Sequence, residues 1–318
     1  MKKILITGGA GFIGSNLVEY FLSGFSGHVV VLDNFSTGTR KNLDEFSSNG
    51  KLVILEGDIR DPETCLEACR NVDYVLHLAA LGSIPRSIDD PVTTNAVNIS
   101  GFVNMIDAAR KNGVKRFVYT SSSSVYGNDL RLPKKEEFIG EPLSPYAVTK
   151  RANELYAKVF SGIYDMEIIG LRLFNVFGPK QKIDGPYAAV IPIFIREMLA
   201  GKECRIFGDG TNTRDFTFVK NVVKAISQAA FGENPEAHGL VFNIACGGSI
   251  SVKEIYYKIA ANLKITSDPV FSPSRKGDIA SSIADITLAG KYLDFSPEVG
   301  IEEGLDKTIS WYVKNFKD

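Results

Sequence analysis

Histidine is scarce in this 318-residue chain, with three in all, and cysteine nearly so, with four. A zinc or iron site built from clustered His and Cys therefore has few candidates. Cys65 and Cys69 stand four apart, but no histidine lies near them. They and Cys204 and Cys246 are expected to be free thiols in a reducing compartment, and no metal is assigned. Neither sign of charge is in surplus: 36 basic and 37 acidic residues give a net charge of −1. That leaves no basic face for nucleic acid and no acidic tail. Apolar runs are short. None approaches the ~20 residues of a membrane helix, and MKKILITGG breaks to glycine too early for a secretory leader. The expectation is a cytoplasmic protein with neither nucleic acid nor membrane as partner.

What is present is a rhythm. Apolar runs at Lys3–Thr7, Val29–Leu32, Val53–Leu55, Tyr74–Leu78, Arg116–Tyr119 and Glu167–Leu171 alternate with helical patterns near 11–22, 62–69, 95–112 and 145–161. Strands that are apolar on both faces and separated by helices imply a parallel sheet wound through right-handed crossovers. The expected fold is α/β, a doubly wound parallel sheet. Beyond residue 175 glycine and proline become frequent and the alternation weakens. Helices are predicted near 191–200, 222–231, 252–262 and 301–315, with Val241–Ala245 a strand returning to the first sheet. The chain is thus divided into a dinucleotide-binding domain over 1–175, with a returning segment near 215–245, and a smaller interleaved lobe over 176–318.

Two motifs carry chemistry. Gly8-Gly-Ala-Gly11-Phe-Ile-Gly14 lies between the first strand and the first helix. Glycines there let the backbone approach a pyrophosphate resting on the helix N-terminus. Asp33 closes the second strand nineteen residues beyond Gly14. A carboxylate at that place suits a ribose diol and repels a 2′-phosphate, which favours NAD over NADP, with Arg40 nearby as a counter-indication. Asp58, after the third strand, is placed to meet the adenine edge. The second motif is Ser144-Pro-Tyr-Ala-Val-Thr-Lys150. On a helix Tyr146 and Lys150 share a face, and a neighbouring ammonium lowers a phenol pKa that is ordinarily ~10. A tyrosine so tuned is a usable base.

GxxGxxG combined with YxxxK, a serine run before Val125-Tyr-Gly127, His77-Leu-Ala-Ala80 and Arg172-Leu-Phe-Asn-Val-Phe-Gly178 resembles the extended short-chain dehydrogenase/reductase superfamily over essentially the whole chain. That resemblance implies Tyr146 as general acid/base, Lys150 as its partner and ribose ligand, and Ser122 or Ser123 bridging to the sugar hydroxyl. It also implies a cofactor site of Gly8, Gly11, Phe12, Ile13, Gly14, Asp33, Asn34, Asp58, Ile59, Leu78, Ala79, Ala80 and Asn98, together with Tyr146 and Lys150. Dehydratases and decarboxylases of the superfamily carry a carboxylate beside the serine, where this chain has Ser124. Without it, a 4-keto sugar has one easy exit, return of the hydride to its other face.

Within the superfamily the chain is similar to the UDP-sugar 4-epimerases, closest to the UDP-N-acetylglucosamine group. Ser83, Arg86, Ser124, Asn175, Ala189, Val190, Arg214, Arg275, Asp278 and Ser282 are the substrate residues this implies. Arg214 and Arg275 grip the diphosphate, since guanidinium forks match phosphate oxygens. Ser282 stands where strict glucose/galactose enzymes carry a tyrosine, leaving room for an N-acetyl group. A UDP-glucuronate 4-epimerase, with Arg86 holding the carboxylate, is the enzymatic rival. A non-catalytic nucleotide-sugar sensor is the rival of another class. A homodimer through helices near 95–112 and 145–161 is expected by the same resemblance.

Overall fold

The structure, a computed structural model, describes residues 2–183, 188–273 and 281–315. Its centre is a seven-stranded sheet formed by β1 (Lys3–Thr7), β2 (His28–Asp33), β3 (Leu52–Glu56), β4 (Tyr74–His77), β5 (Arg116–Ser122), β6 (Glu167–Leu173) and β11 (Val241–Ile244), every neighbouring pair parallel. The order β11-β6-β5-β4-β1-β2-β3 turns back at β1, which touches both β2 and β4. Chain crossovers leave β1 in opposite directions there and open a crevice above the strand ends, where ligands of this fold class sit.

Side-chain alternation builds the layers. Ile4, Ile6, Val29, Val31, Leu76 and Val118 face one core, while Leu5, Val30, Leu32, Val75 and Phe117 face the other. Successive residues of a strand point to opposite faces, so each strand has to be apolar on both. The first core is covered by α1 (Phe12–Gly24) and α8 (Val219–Phe231), the second by α2 (Pro62–Ala68) and α5 (Gly101–Lys111) with part of α6 (Pro145–Tyr164). The predicted helix over 95–112 is three pieces. A short α4 (Pro91–Asn95) runs through a π turn at Ala96–Ser100 into α5, after an α3 (Ile84–Asp89) that sequence periodicity did not suggest. The strand expected at 241–245 does return to the sheet, pairing with β6.

The smaller lobe is held by short strand pairs. β7 (Val176–Phe177) pairs β10 (Thr217–Phe218), β8 (Arg205–Phe207) pairs β13 (Val270–Ser272), and β9 (Thr213–Arg214) pairs β12 (Ile250–Ser251). Helices α7 (Val190–Leu199), α9 (Val252–Asn262), α10 (Thr287–Leu293) and α11 (Ile301–Asn315) pack around them. A capping box formed by Ser251 and Glu254 starts α9. Cys65, Cys69 and Cys204 are buried free thiols within these cores.

Gly14 is the tightest point of the turn into α1. A Cβ built there would collide with the Gly8 carbonyl oxygen and stand 2.7 Å from the Gly9 Cα, all of it backbone that has nowhere to go. Gly14→Ala is therefore expected to lose about 2 kcal/mol or more in urea unfolding of the full chain. An unchanged midpoint would mean that the turn is slack.

Candidate active site

The crevice at the switch point is a groove lined by Gly8, Gly11, Phe12, Ile13, Gly14, Asp33, Asn34, Asp58, Ile59, Leu78, Ala79 and Ala80. All but three of the cofactor residues expected from sequence therefore come together on one surface. Gly8 has φ 71°, and a Cβ on it would stand 2.8 Å from the Ala79 backbone nitrogen. The loops after β1 and β4 meet at that point. Gly11 caps α1 with no side-chain hydrogen bond, so the first N–H groups of the helix face the groove unclaimed by a cap. Asp33 accepts hydrogen bonds from the N–H groups of Ala10 (2.9 Å) and Phe35 (2.8 Å). That fixes a carboxylate at the rim. Asp58 is held by Arg60 and by the Asn34 amide, at 2.8 Å, and the Arg60 hydrogen bond brings its pKa down to about 2. These features fit a dinucleotide: small residues under a pyrophosphate, a bare helix end and a fixed carboxylate for a diol.

Asn98 belongs one layer further back. Its side chain accepts the Leu81 N–H at 2.8 Å and donates to the Leu81 carbonyl and to Thr149 Oγ1. It braces the groove wall against α6, and the π turn is what aims it there.

The head of α6 brings Lys150 beside Thr120, which lines the groove, with Tyr146 one turn before it. Ser144 caps the helix through the Ala147 N–H, Pro145 fills the first position, and the Tyr146 N–H donates to Ser87 Oγ at 3.0 Å. Ser87 was not legible in the sequence. Ser122 stands beside the Tyr146 phenol and favours its ionised form, and its hydroxyl accepts the Ser124 N–H at 3.2 Å. Between the two serines expected, the structure thus gives Ser122 the contact, while Ser123 opens the following turn. The Ser124 hydroxyl is buried without a hydrogen-bond partner.

Lys150 donates to the Thr120 carbonyl at 2.8 Å and lies 5.9 Å from the Tyr146 ring centroid. Burial brings its pKa down to about 8, against the pull of Glu154 one turn deeper. Here the sequence-based expectation needs correction. Desolvation raises the Tyr146 phenol above its ordinary value, and Ser122 lowers it only part of the way back. In the protein alone the ammonium is turned to a carbonyl, and burial dominates. Beneath it, Glu154 accepts from Ser121 (2.7 Å), from Arg151 and from both sides of the Arg172 guanidinium (2.8 and 2.9 Å). Arg172 passes the network on to Tyr126, whose hydroxyl donates to Asn243 at 2.7 Å.

A second cleft lies across the lobes. Asn175, Ala189, Val190 and Arg214 line it as expected, joined by Arg205, Asn212, Phe207 and Phe216, which no motif announced. Asn175 has φ 35°, and its amide donates to the Asp215 carbonyl. Ser282 is buried with its N–H on the Thr213 carbonyl at 3.1 Å, next to Arg214. Ser83 caps α3 through the Arg86 N–H, on the segment that also carries Ser87. Arg275 and Asp278 lie outside the described residues.

A doubly wound sheet with a glycine turn, a rim carboxylate and a tyrosine–lysine helix beside the groove defines a dinucleotide-dependent α/β protein. Residues 4–245 match the NAD dependent epimerase/dehydratase family, and the chain belongs to it. It is 39% identical over 313 residues to a UDP-glucose 4-epimerase of Mycolicibacterium smegmatis, covering 98% of each chain. It superposes with a TM-score of 0.94 on a UDP-N-acetylglucosamine 4-epimerase of Methanobrevibacter ruminantium solved with UDP-N-acetylmuramic acid, at 36% identity and 99% coverage of both. A UDP-glucuronic acid 4-epimerase of Bacillus cereus, solved with UDP-glucuronic acid and NAD, gives 0.92 at 30% identity, covering 99% of this chain and 100% of that one.

The buried lysine makes a signed prediction. From about pH 8 the folded chain has shed a proton that the unfolded chain keeps up to 10.5, so folding stability rises with pH across that window. Lys150→Met is expected to stabilise the fold at pH 7 by on the order of 1–3 kcal/mol, the gain shrinking toward pH 10. Denaturant melts at the two pH values check it, and a gain independent of pH would count against a charged, desolvated Lys150.

Proposed function

We propose that this protein is a UDP-sugar 4-epimerase using NAD, acting chiefly on the UDP-GlcNAc/UDP-GalNAc pair and more weakly on UDP-Glc/UDP-Gal. The observation that carries the reading is Tyr146 on the first turn of α6, with Lys150 buried one turn on and 5.9 Å from its ring and with Ser122 beside the phenol. A module that only binds has no need of such a base. Ser124, an unpartnered hydroxyl where a dehydratase-type carboxylate would stand, supports epimerisation over elimination.

NAD, seated on the glycine turn with its ribose at Asp33, supplies a hydride acceptor that becomes the donor in the second half-reaction. The chain's own residues handle the proton and the geometry. Tyr146 takes the proton of the C4 hydroxyl, with Ser122 bridging, and returns it once the 4-keto sugar has presented its other face. Lys150 holds positive charge beneath both. Arg214, with Arg275 as its expected partner, fixes the diphosphate while the hexose turns about it. Tight diphosphate and loose sugar is the distribution that a two-faced reaction requires. Ser282, small and close to Arg214, supports room for a C2 N-acetyl group, and volume of this kind admits the smaller sugar too.

The same proposal includes a cytoplasmic homodimer. No described helix is long and apolar enough to cross a membrane. α6 leaves Val148, Leu155, Val159 and Ile163 exposed, the last at 70%. Their spacing forms one stripe, and such a stripe marks an association surface. Ile163→Lys is expected to give a monomer in light scattering, and an unaffected dimer would place the interface elsewhere.

The deciding assay offers UDP-GlcNAc, UDP-Glc and UDP-glucuronate separately to the purified protein, with and without NAD, while proton NMR follows C4. UDP-GlcNAc should convert fastest. Tyr146→Phe should cost about 10²–10⁴ in rate with UDP affinity unchanged. Conversion of the glucuronate alone would transfer the role to an acid-binding site at Arg86.

A further inference from the structure

Arg40 has no part in the reaction proposed above, yet it stands beside the cofactor groove. An arginine just after the second strand is the residue that nucleotide-binding sheets use to accept a 2′-phosphate, and its planar fork suits that anion. Three contacts fix its place. Its guanidinium lies 4.1 Å from the Phe35 ring centroid, and the Phe35 N–H is on Asp33. The loop that carries it folds back onto Ala10, with Thr39 N–H at 3.1 Å and Asn42 Nδ2 at 2.9 Å from the Ala10 carbonyl. The N–H of the same Ala10 donates to Asp33. Arg40 and the ribose-side carboxylate therefore lean on one residue.

Arg40 is engaged, however. It is ion-paired and hydrogen-bonded to Glu56, the last residue of β3, which lies directly opposite Asp33 in the parallel register. Two carboxylates thus end adjacent strands. One is buried and faces the groove, while the other is 63% exposed at its side chain and turned to the guanidinium.

We infer that Glu56 is a specificity residue for the cofactor: it occupies Arg40 and so withholds from NADP a cation on the loop after Asp33 that could otherwise meet its 2′-phosphate. Discrimination then has two parts. Asp33 repels the phosphate at the ribose, and Glu56 competes for the group that would otherwise offset that repulsion. Glu56 does this without touching the ribose, since Gly57 and not Glu56 lines the groove. The inference rests on the reading of the groove as a dinucleotide site and adds to it a residue that no glycine motif contains.

The test is calorimetric titration of NAD and NADP into the cofactor-stripped full chain, in the natural sequence and in an Asp33→Asn background that brings NADP binding into range. Glu56→Gln should raise the affinity ratio of NADP to NAD about two- to fivefold, the range of an exposed ion pair, with NAD affinity itself little changed. Glu56→Gln combined with Arg40→Ala should return the ratio to its starting value. An unmoved ratio in Glu56→Gln overturns the inference while leaving the dinucleotide site standing. A gain that survives Arg40→Ala also overturns it, because loss of repulsion alone would then be the cause. Failure of the unaltered protein to bind NAD overturns both readings together.

Discussion

A buried ammonium organises this molecule. Lys150 is set on the Thr120 carbonyl at the end of β5, and its positive charge is sustained by Glu154 one helical turn below. Glu154 is itself neutralised by Arg172 from β6. A buried pair of this kind adds little stability compared with well-packed apolar side chains. What it supplies is register. One helix and the ends of two strands are tied through directional bonds, and the same bonds continue through Tyr126 to Asn243 on β11. Ser122, beside the Tyr146 phenol, sits at the head of that network, one residue beyond Ser121, which donates to Glu154.

The cost and the use of this arrangement have the same source. Desolvation pulls the lysine down and pushes the tyrosine up, which brings the two groups closer together in pKa than they are in water. Groups tuned by burial respond strongly to a charge brought beside them in a low-dielectric site.

Much of this was legible in the residues. Short runs apolar on both faces, between helices, determine the sheet, and Gly8, Gly11, Gly14 and Asp33 sit together because the turn after β1 and the end of the neighbouring β2 meet at one groove. What was not legible depends on partners distant in sequence. Ser87 meets the Tyr146 N–H across 59 positions, and Asn243 meets Tyr126 across 117. The continuous helix expected over 95–112 is interrupted because Asn98 must reach Leu81 and Thr149 at once, which a π turn permits. The tyrosine was expected to be lowered by its lysine. Spacing along a helix reports proximity but not what the ammonium is bonded to. Of the two candidate serines, Ser122 lies beside the phenol while Ser123 opens the following turn, a distinction that depends on how the strand end turns.

The return of β11 to the edge of β6 has a bearing on how the chain can be divided. Between them the chain leaves the sheet to build β7 through β10, with the lining of the second cleft from Asn175 to Phe216, and comes back through α8 before the first sheet is finished. A fragment ending near residue 175 would leave β6 as a bare edge, with a row of unmet N–H and C=O groups open to pairing with another copy. The nucleotide-binding half is therefore no free-standing module. During synthesis the last strand of the sheet emerges only after the first part of the smaller lobe, and the partners of β8 and β9 follow it later still, so the two halves have to mature together.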